Sequence, residues 1–138
     1  MNRNVFADTF FFAALVNPDD DANKQATELL GSITLAKRRI ITTDFILLEL
    51  GSMLSSTAYS RGLYANVLDS MTDRHVRVIP ASRTLFHQGL QLFRNRTDKQ
   101  WSVVDCTSFV VMRRHAITDA LTGDHHFAQA GFRPLMMK

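Results

Sequence analysis

Trp101-Ser102-Val103-Val104-Asp105-Cys106-Thr107-Ser108-Phe109 places one carboxylate inside the start of an otherwise apolar and small-residue helix. Ser102 with Asp105 three residues on, followed by Phe109, Val110, Val111 and Met112, is a capping-box pattern that by itself needs no other explanation. Asp105 acquires a second meaning only if other acids converge on it. That depends on the fold.

Upstream, 4–7 is a short apolar run that reads as a buried strand ending at Asp8, and 9–16 reads as a helix broken by Asn17-Pro18. Asp8 therefore falls at a strand-to-helix corner. Asp19, Asp20 and Asp21 precede an amphipathic helix over 22–36 and are expected to complement its dipole. Lys37, Arg38 and Arg39 close that helix and lead into a second strand at Ile40 and Ile41. Thr42 and Thr43 can cap a helix over 44–56, and 59–71 is another, with Leu63, Tyr64, Val67 and Met71 on one side. Val76, Val78 and Ile79 form a third strand ended by Pro80, Ser82 caps 85–93, and 94–100 is a polar connection. Downstream of the helix 102–114, residues 116–122 read as a fourth strand ending at Gly123-Asp124. One helical turn over 125–129 stops at Ala130-Gly131, and 132–136 can be a fifth strand. This alternation predicts an α/β fold: a single domain over 1–138, with a parallel sheet of about five strands and helices on both faces.

A chain of 138 residues suits one domain with a real core. With 46% hydrophobic and 21% charged residues, it has an ordinary globular composition. No apolar run approaches the roughly 18 residues of a membrane span, and Asp8 interrupts the N-terminal region before a signal-peptide core could form, so a cytoplasmic protein without membrane contact is expected. The lone Cys106 agrees with a reducing compartment. The charge is asymmetric: 1–69 carries 6 Lys or Arg against 8 Asp or Glu, and 70–138 carries 10 against 5. The basic residues of the second half are scattered, which permits a polyanionic partner but also fits ordinary surface charge.

Glu49 is the second misplaced acid. At helical spacing it shares its face with Phe45, Ile46 and Met53, and in the second turn it is too deep for a capping role. Gly51, Ser52, Ser55 and Ser56 are small enough to admit another backbone or a ligand. Asp8 and Asp124 fall at carboxyl ends of predicted strands, the edge where open α/β sheets bind ligands, and Glu49 and Asp105 lie near the starts of helices leaving that edge. Carboxylates crowded in this way repel unless a cation neutralises them or some hold protons. Oxygen donors without a compensating Lys or Arg suit Mg²⁺ or Mn²⁺. Such ions serve in-line attack on phosphate, so the inferred chemistry is phosphodiester hydrolysis.

Asp8-Thr9 after the first strand, Thr43-Asp44-Phe45-Ile46-Leu47-Leu48-Glu49, the stretch Trp101 to Phe109, and Leu121-Thr122-Gly123-Asp124-His125-His126-Phe127 with Ala130-Gly131-Phe132 resemble the PIN-domain ribonucleases, especially the VapC-type toxins. The resemblance spans essentially the whole chain. It implies a Mg²⁺- or Mn²⁺-dependent endoribonuclease acting on single-stranded or structured RNA, with Asp8, Glu49, Asp105 and Asp124 as the metal-binding, catalytic acids. Thr9 would then be a supporting hydroxyl and Thr122 would orient the last strand end. A small antitoxin protein and a homodimer are further expectations of the family. His126 stands where many such toxins carry another acid.

Each residue also has a plainer reading. Asp8 could be an N-cap and Asp124 a turn residue. Asp98, in the polar connection, is carried only as a peripheral supporting candidate. His125 and His126 are adjacent, hence about 100° apart on a helix, and read better as helix-start or surface residues than as joint ligands. Cys106 reads as packed, and Trp101 as packing in preference to base stacking. Among rival functions, a haloacid-dehalogenase-like phosphatase would want an acid where Phe10 stands, and a response-regulator receiver would want an acidic pair and a late Lys that are absent. A catalytically weak or inactive module that binds RNA or protein, and an RNA-processing nuclease that is not a toxin, remain alternatives.

Overall fold

The computed structural model describes residues 3–137. Its strands are short, and the central one is continuously apolar after its first residue because both sheet faces are covered there: Val5, Phe6 and Ala7 of β1 (Asn4–Ala7) are fully buried. The other strands are β2 (Arg39–Thr43), β3 (Val76–Ile79), β4 (Asp119–Leu121) and β5 (Arg133–Pro134). They form one parallel sheet in the order β3-β2-β1-β4-β5.

Helices α1 (Thr9–Val16), α2 (Asn23–Leu35), α3 (Asp44–Met53) and α4 (Ala58–Ser70) fill the connections from β1 through β2 to β3 and pack among themselves. Helices α5 (Arg83–Asn95) and α6 (Val103–Arg114) carry the chain back to β4, and α7 (His125–Gln129) joins β4 to β5. Because parallel crossovers are right-handed, reversing the direction of travel along the sheet moves the helices to its other face. The predicted α/β sheet with two helical layers is thus the observed one. The core between the layers includes Phe6, Phe11, Ile46, Leu50, Phe109, Met112 and Phe127.

Most element boundaries shift by only a few residues, but some expectations change. The fourth strand starts at Asp119 and not at 116, because Ala116 terminates α6 in the left-handed region (φ 54°). There the Ile117 N–H reaches Met112 O at 2.8 Å and the Ala116 N–H reaches Arg113 O, a Schellman ending. Lys37 (φ 55°) ends α2 in the same manner, and Gly131 (φ 93°) ends α7. The fifth strand is Arg133–Pro134 alone, with proline tolerated at the sheet edge. Asp19, Asp20 and Asp21 do not sit in the first turn of α2, which starts at Asn23; Asp20 instead accepts the Ala22 N–H in the preceding turn. Gly51 makes room for neither backbone nor ligand but for the Tyr64 ring of α4, whose hydroxyl donates to Leu47 O at 2.7 Å.

Candidate active site

The sheet order reverses between β1 and β4, and a crevice opens beyond the carboxyl ends of these neighbours. Asp8 follows β1 directly. Although it occupies the N-cap position of α1, its side chain makes no capping hydrogen bond. Its Oδ2 instead accepts from Thr122 Oγ1 at 2.8 Å, and the same Thr122 oxygen accepts the Asp124 N–H at 3.1 Å. One buried hydroxyl thus ties the ends of β1 and β4 together.

Asp124 caps α7 by accepting the His126 N–H at 2.9 Å. Glu49 projects from α3 to the same crevice, and Thr9 Oγ1 donates to its Oε1 at 2.5 Å. Asp105 is the third helical residue of α6 and completes the predicted capping box: Ser102 Oγ accepts the Asp105 N–H at 3.0 Å and Asp105 Oδ2 accepts the Ser102 N–H at 3.1 Å. Capping and crevice roles therefore coexist in one carboxylate. Asp8, Thr9, Glu49, Asp105 and Asp124 line one opening with Phe10, Met53, Gln100, Ser102 and His126.

The electrostatics of this opening are unbalanced. Burial raises the Asp8 carboxyl to about 7 against the Thr122 hydrogen bond, and the Asp105 and Glu49 carboxylates push in the same upward direction. Among the described residues no Lys or Arg forms an ion pair with Asp8, Glu49, Asp105 or Asp124. Four carboxylates lining one opening without a Lys or Arg partner suit a hard divalent ion such as Mg²⁺ or Mn²⁺ in their donor chemistry. Among the described residues, Asp124, His125 and His126 offer ligand atoms within 4.8 Å of one another, which adds nitrogen donors at the α7 end of the opening.

His126 keeps the helix-start position read from the sequence, in the first turn of α7, but its ring is not on the surface. Its side chain is 18% exposed against 65% for His125, and its Nδ1 lies 3.0 Å from Asp105 Oδ2 and 3.4 Å from Asp124 Oδ1. The Nδ1-protonated tautomer of His126 is the one that can donate to the Asp105 carboxylate. The helical offset does not keep the two histidines apart: their ring centroids lie 4.5 Å apart and both Nδ1 atoms approach Asp124 Oδ1, at 3.7 Å for His125 and 3.4 Å for His126, although only His126 turns inward.

Asp98 is not brought into the crevice. It is exposed and forked by Arg96 at 3.0 and 3.0 Å, a hydrogen-bonded pairing that draws its carboxyl down to about 2. Trp101 is packed: 3% exposed, edge-on to Phe109 at 5.0 Å, with its Nε1–H donated to Gln129 Oε1. Cys106 is fully buried, and burial lifts its thiol to about 11, which leaves no reactive thiolate.

The PIN domain family model matches residues 5–133. The chain belongs to the PIN-domain family. Over 128 residues this PIN domain is 30% identical to the 23S rRNA-specific endonuclease VapC20 of Mycobacterium tuberculosis, covering 93% of the chain and 95% of that protein. It also superposes on the crystal structure of M. tuberculosis VapC20, described as a sarcin-ricin loop cleaving toxin, with a TM-score of 0.82 and 28% identity over 93% of this chain and 95% of that one. The crystal structure of FitAcB from Neisseria gonorrhoeae shares the fold at a TM-score of 0.65 and 17% identity, covering 94% of each chain. Among the described residues, no helix of this PIN domain is long and apolar enough to cross a membrane.

Proposed function

We propose that this PIN domain is a divalent-metal-dependent endoribonuclease that hydrolyses RNA phosphodiester bonds and acts as the toxin of a toxin-antitoxin pair. The observation that carries the reading is the convergence of Asp8, Glu49, Asp105 and Asp124 on one crevice without a Lys or Arg partner. Whole-length similarity to a VapC20 endonuclease supports it and makes 23S rRNA the first substrate to test.

The four carboxylates would hold Mg²⁺ or Mn²⁺, which when bound supplies charge stabilisation at a phosphoryl oxygen and acidifies water. The chain's own contribution is orientation. Thr122 fixes Asp8, Thr9 fixes Glu49, the Ser102 N–H and His126 fix Asp105, and the first turn of α7 fixes Asp124. Carboxylates held in this way need little reorganisation as charge develops on the phosphate. A small antitoxin protein is the expected partner, a homodimer the expected assembly and the cytoplasm the expected compartment.

Purified protein should cleave 23S rRNA with Mg²⁺ or Mn²⁺ and stop on chelation. Asp105→Asn should lower the rate by roughly 10²-fold or more with an unchanged circular-dichroism spectrum. An Asp105→Asn protein that cuts at the wild-type rate would overturn the assignment. In cells, expression should arrest growth, and co-expression of the product of an adjacent small open reading frame should relieve the arrest.

A further inference from the structure

Phe10, Phe11 and Phe12 are consecutive in α1, and neighbours on a helix point about 100° apart, so a single core cannot take all three. Phe11 and Phe12 are 1% and 3% exposed, whereas Phe10 is 39% exposed. Its ring does not dangle. Its distal edge rests on Gly123, where an added Cβ would meet the ring at 2.6, 2.9 and 3.1 Å. Gly123 lies between Thr122, which holds Asp8, and Asp124, so the seat of the ring is built into the same strand end as the acids. Met53, 57% exposed, also lines the opening. An aromatic ring left in solvent forfeits burial that its two neighbours obtain, yet here it is held in place within the carboxylate crevice.

We propose that Phe10 is the stacking platform for a nucleobase flanking the scissile phosphate, with Met53 as the adaptable second wall of that subsite. Every base offers a π-face, so an aromatic platform grips single-stranded nucleic acid without reading its sequence. The carboxylates offer nothing attractive to a polyanion by themselves. A base-stacking contact beside them would supply ground-state affinity and set which phosphate enters the crevice. Trp101, the aromatic that the sequence offers first for stacking, is enclosed by Phe109, Gln129 and Arg96 and has no face to give. The subsite rests on the ribonuclease reading, but it can be tested by binding without cleavage.

The test uses the Asp105→Asn protein with Mn²⁺ and two fluorescent probes, oligoadenylate and an abasic ribose-phosphate oligomer of equal length, read by anisotropy. With Phe10 intact, oligoadenylate should bind roughly 5- to 100-fold more tightly than the abasic oligomer. Phe10→Ala should erase the difference, and Phe10→Trp should keep or widen it, which guards against a fold defect in the alanine variant. Equal preference for oligoadenylate in the Phe10 and Phe10→Ala proteins, or no preference in either, overturns the subsite. If wild type fails to cleave any RNA while the Phe10-dependent difference persists, base stacking on Phe10 stands but the nuclease reading, and with it the place of that base beside a scissile phosphate, is overturned. If wild type cleaves and the difference is absent, the reverse holds.

Discussion

The two ends of the sheet treat their carboxylates in opposite ways. At the amino-terminal edge, Asp119 at the start of β4 is partly buried, less deeply than Asp8, and Arg133 grips it with two hydrogen bonds at 2.8 and 2.9 Å while Arg38 adds a third at 2.9 Å. Burial pushes the Asp119 carboxyl up, but the two guanidinium groups outweigh it and hold it below the ordinary carboxylate range. At the carboxyl edge, burial lifts the Asp8 carboxyl to about 7; the Thr122 hydroxyl opposes the rise, the Asp105 and Glu49 carboxylates add to it, and no guanidinium offsets it. Burial alone does not mark a functional acid. The partner matters as well: Asp119 is neutralised by two arginines that tie it to neighbouring elements, whereas Asp8 has no Lys or Arg partner among the described residues.

The largest expected contrast is in activity. Asp8→Asn should reduce RNA cleavage by roughly 10²- to 10³-fold in single-turnover assays, whereas Asp119→Asn should leave the rate within a few-fold. In stability the signs invert. The folded-state value of Asp8, about 7, lies above its unfolded value of 3.8, so its contribution to stability is complete below 3.8 and lost as pH rises to about 7. In chelator at pH 8, Asp8→Asn should therefore be more stable than wild type, on the order of 2–4 kcal/mol by urea unfolding, with that segment of the pH profile flattened.

Metal should close part of this gap. At about 100 times its dissociation constant, Mn²⁺ should stabilise wild type by about 2.7 kcal/mol and Asp8→Asn by much less, as read by thermal melts. Removing the opposite carboxylate should cost stability instead: Asp119→Ala should lose about 2 kcal/mol at neutral pH, because two arginines lose their acceptor. The folded-state value of Asp119 is depressed, so its contribution is present above 3.8 and lost as pH falls through the folded value; the wild-type and variant curves should converge in acid.

The smallest effect sharpens the comparison at a single side chain. His126→Ala should lower kcat about 10-fold, the equivalent of one lost hydrogen bond to a charged acceptor. His126→Asn, whose amide nitrogen can stand near the position of Nδ1, should recover most of it. If both variants behave as wild type, His126 is a packing residue and the orientation of Asp105 rests on Ser102 alone.

The sequence made the crevice legible because its acids sit at punctuation marks. Asp8 and Asp124 follow apolar runs that can only be short strands, and Ser102 with Asp105 is a local capping pattern that the structure reproduces bond for bond. Glu49 stood out as an acid on an apolar stripe; in the structure that stripe divides, with Ile46 in the core and Met53 exposed beside the crevice. Asp98 is only a peripheral candidate on the sequence, and nothing in a polar connection reveals that Arg96, two residues away, will fork its carboxylate.

By itself, then, the sequence determined the order of strands and helices along the chain, the caps at Thr43, Ser82 and Ser102, and the sheet edge at which the acids of the opening fall, because periodicity, proline and glycine placement and capping residues all act within a few residues along the chain. Tertiary structure decided what depends on distant partners. Arg38 reaches Asp119 across 81 positions, and Thr122 reaches Asp8 across 114. Whether His126 or His125 turns inward, and which of three consecutive phenylalanines stays outside, follows from how α7 and α1 pack on the sheet. A helix fixes the angle between neighbouring side chains, but only the surface it packs against fixes which of them faces the crevice.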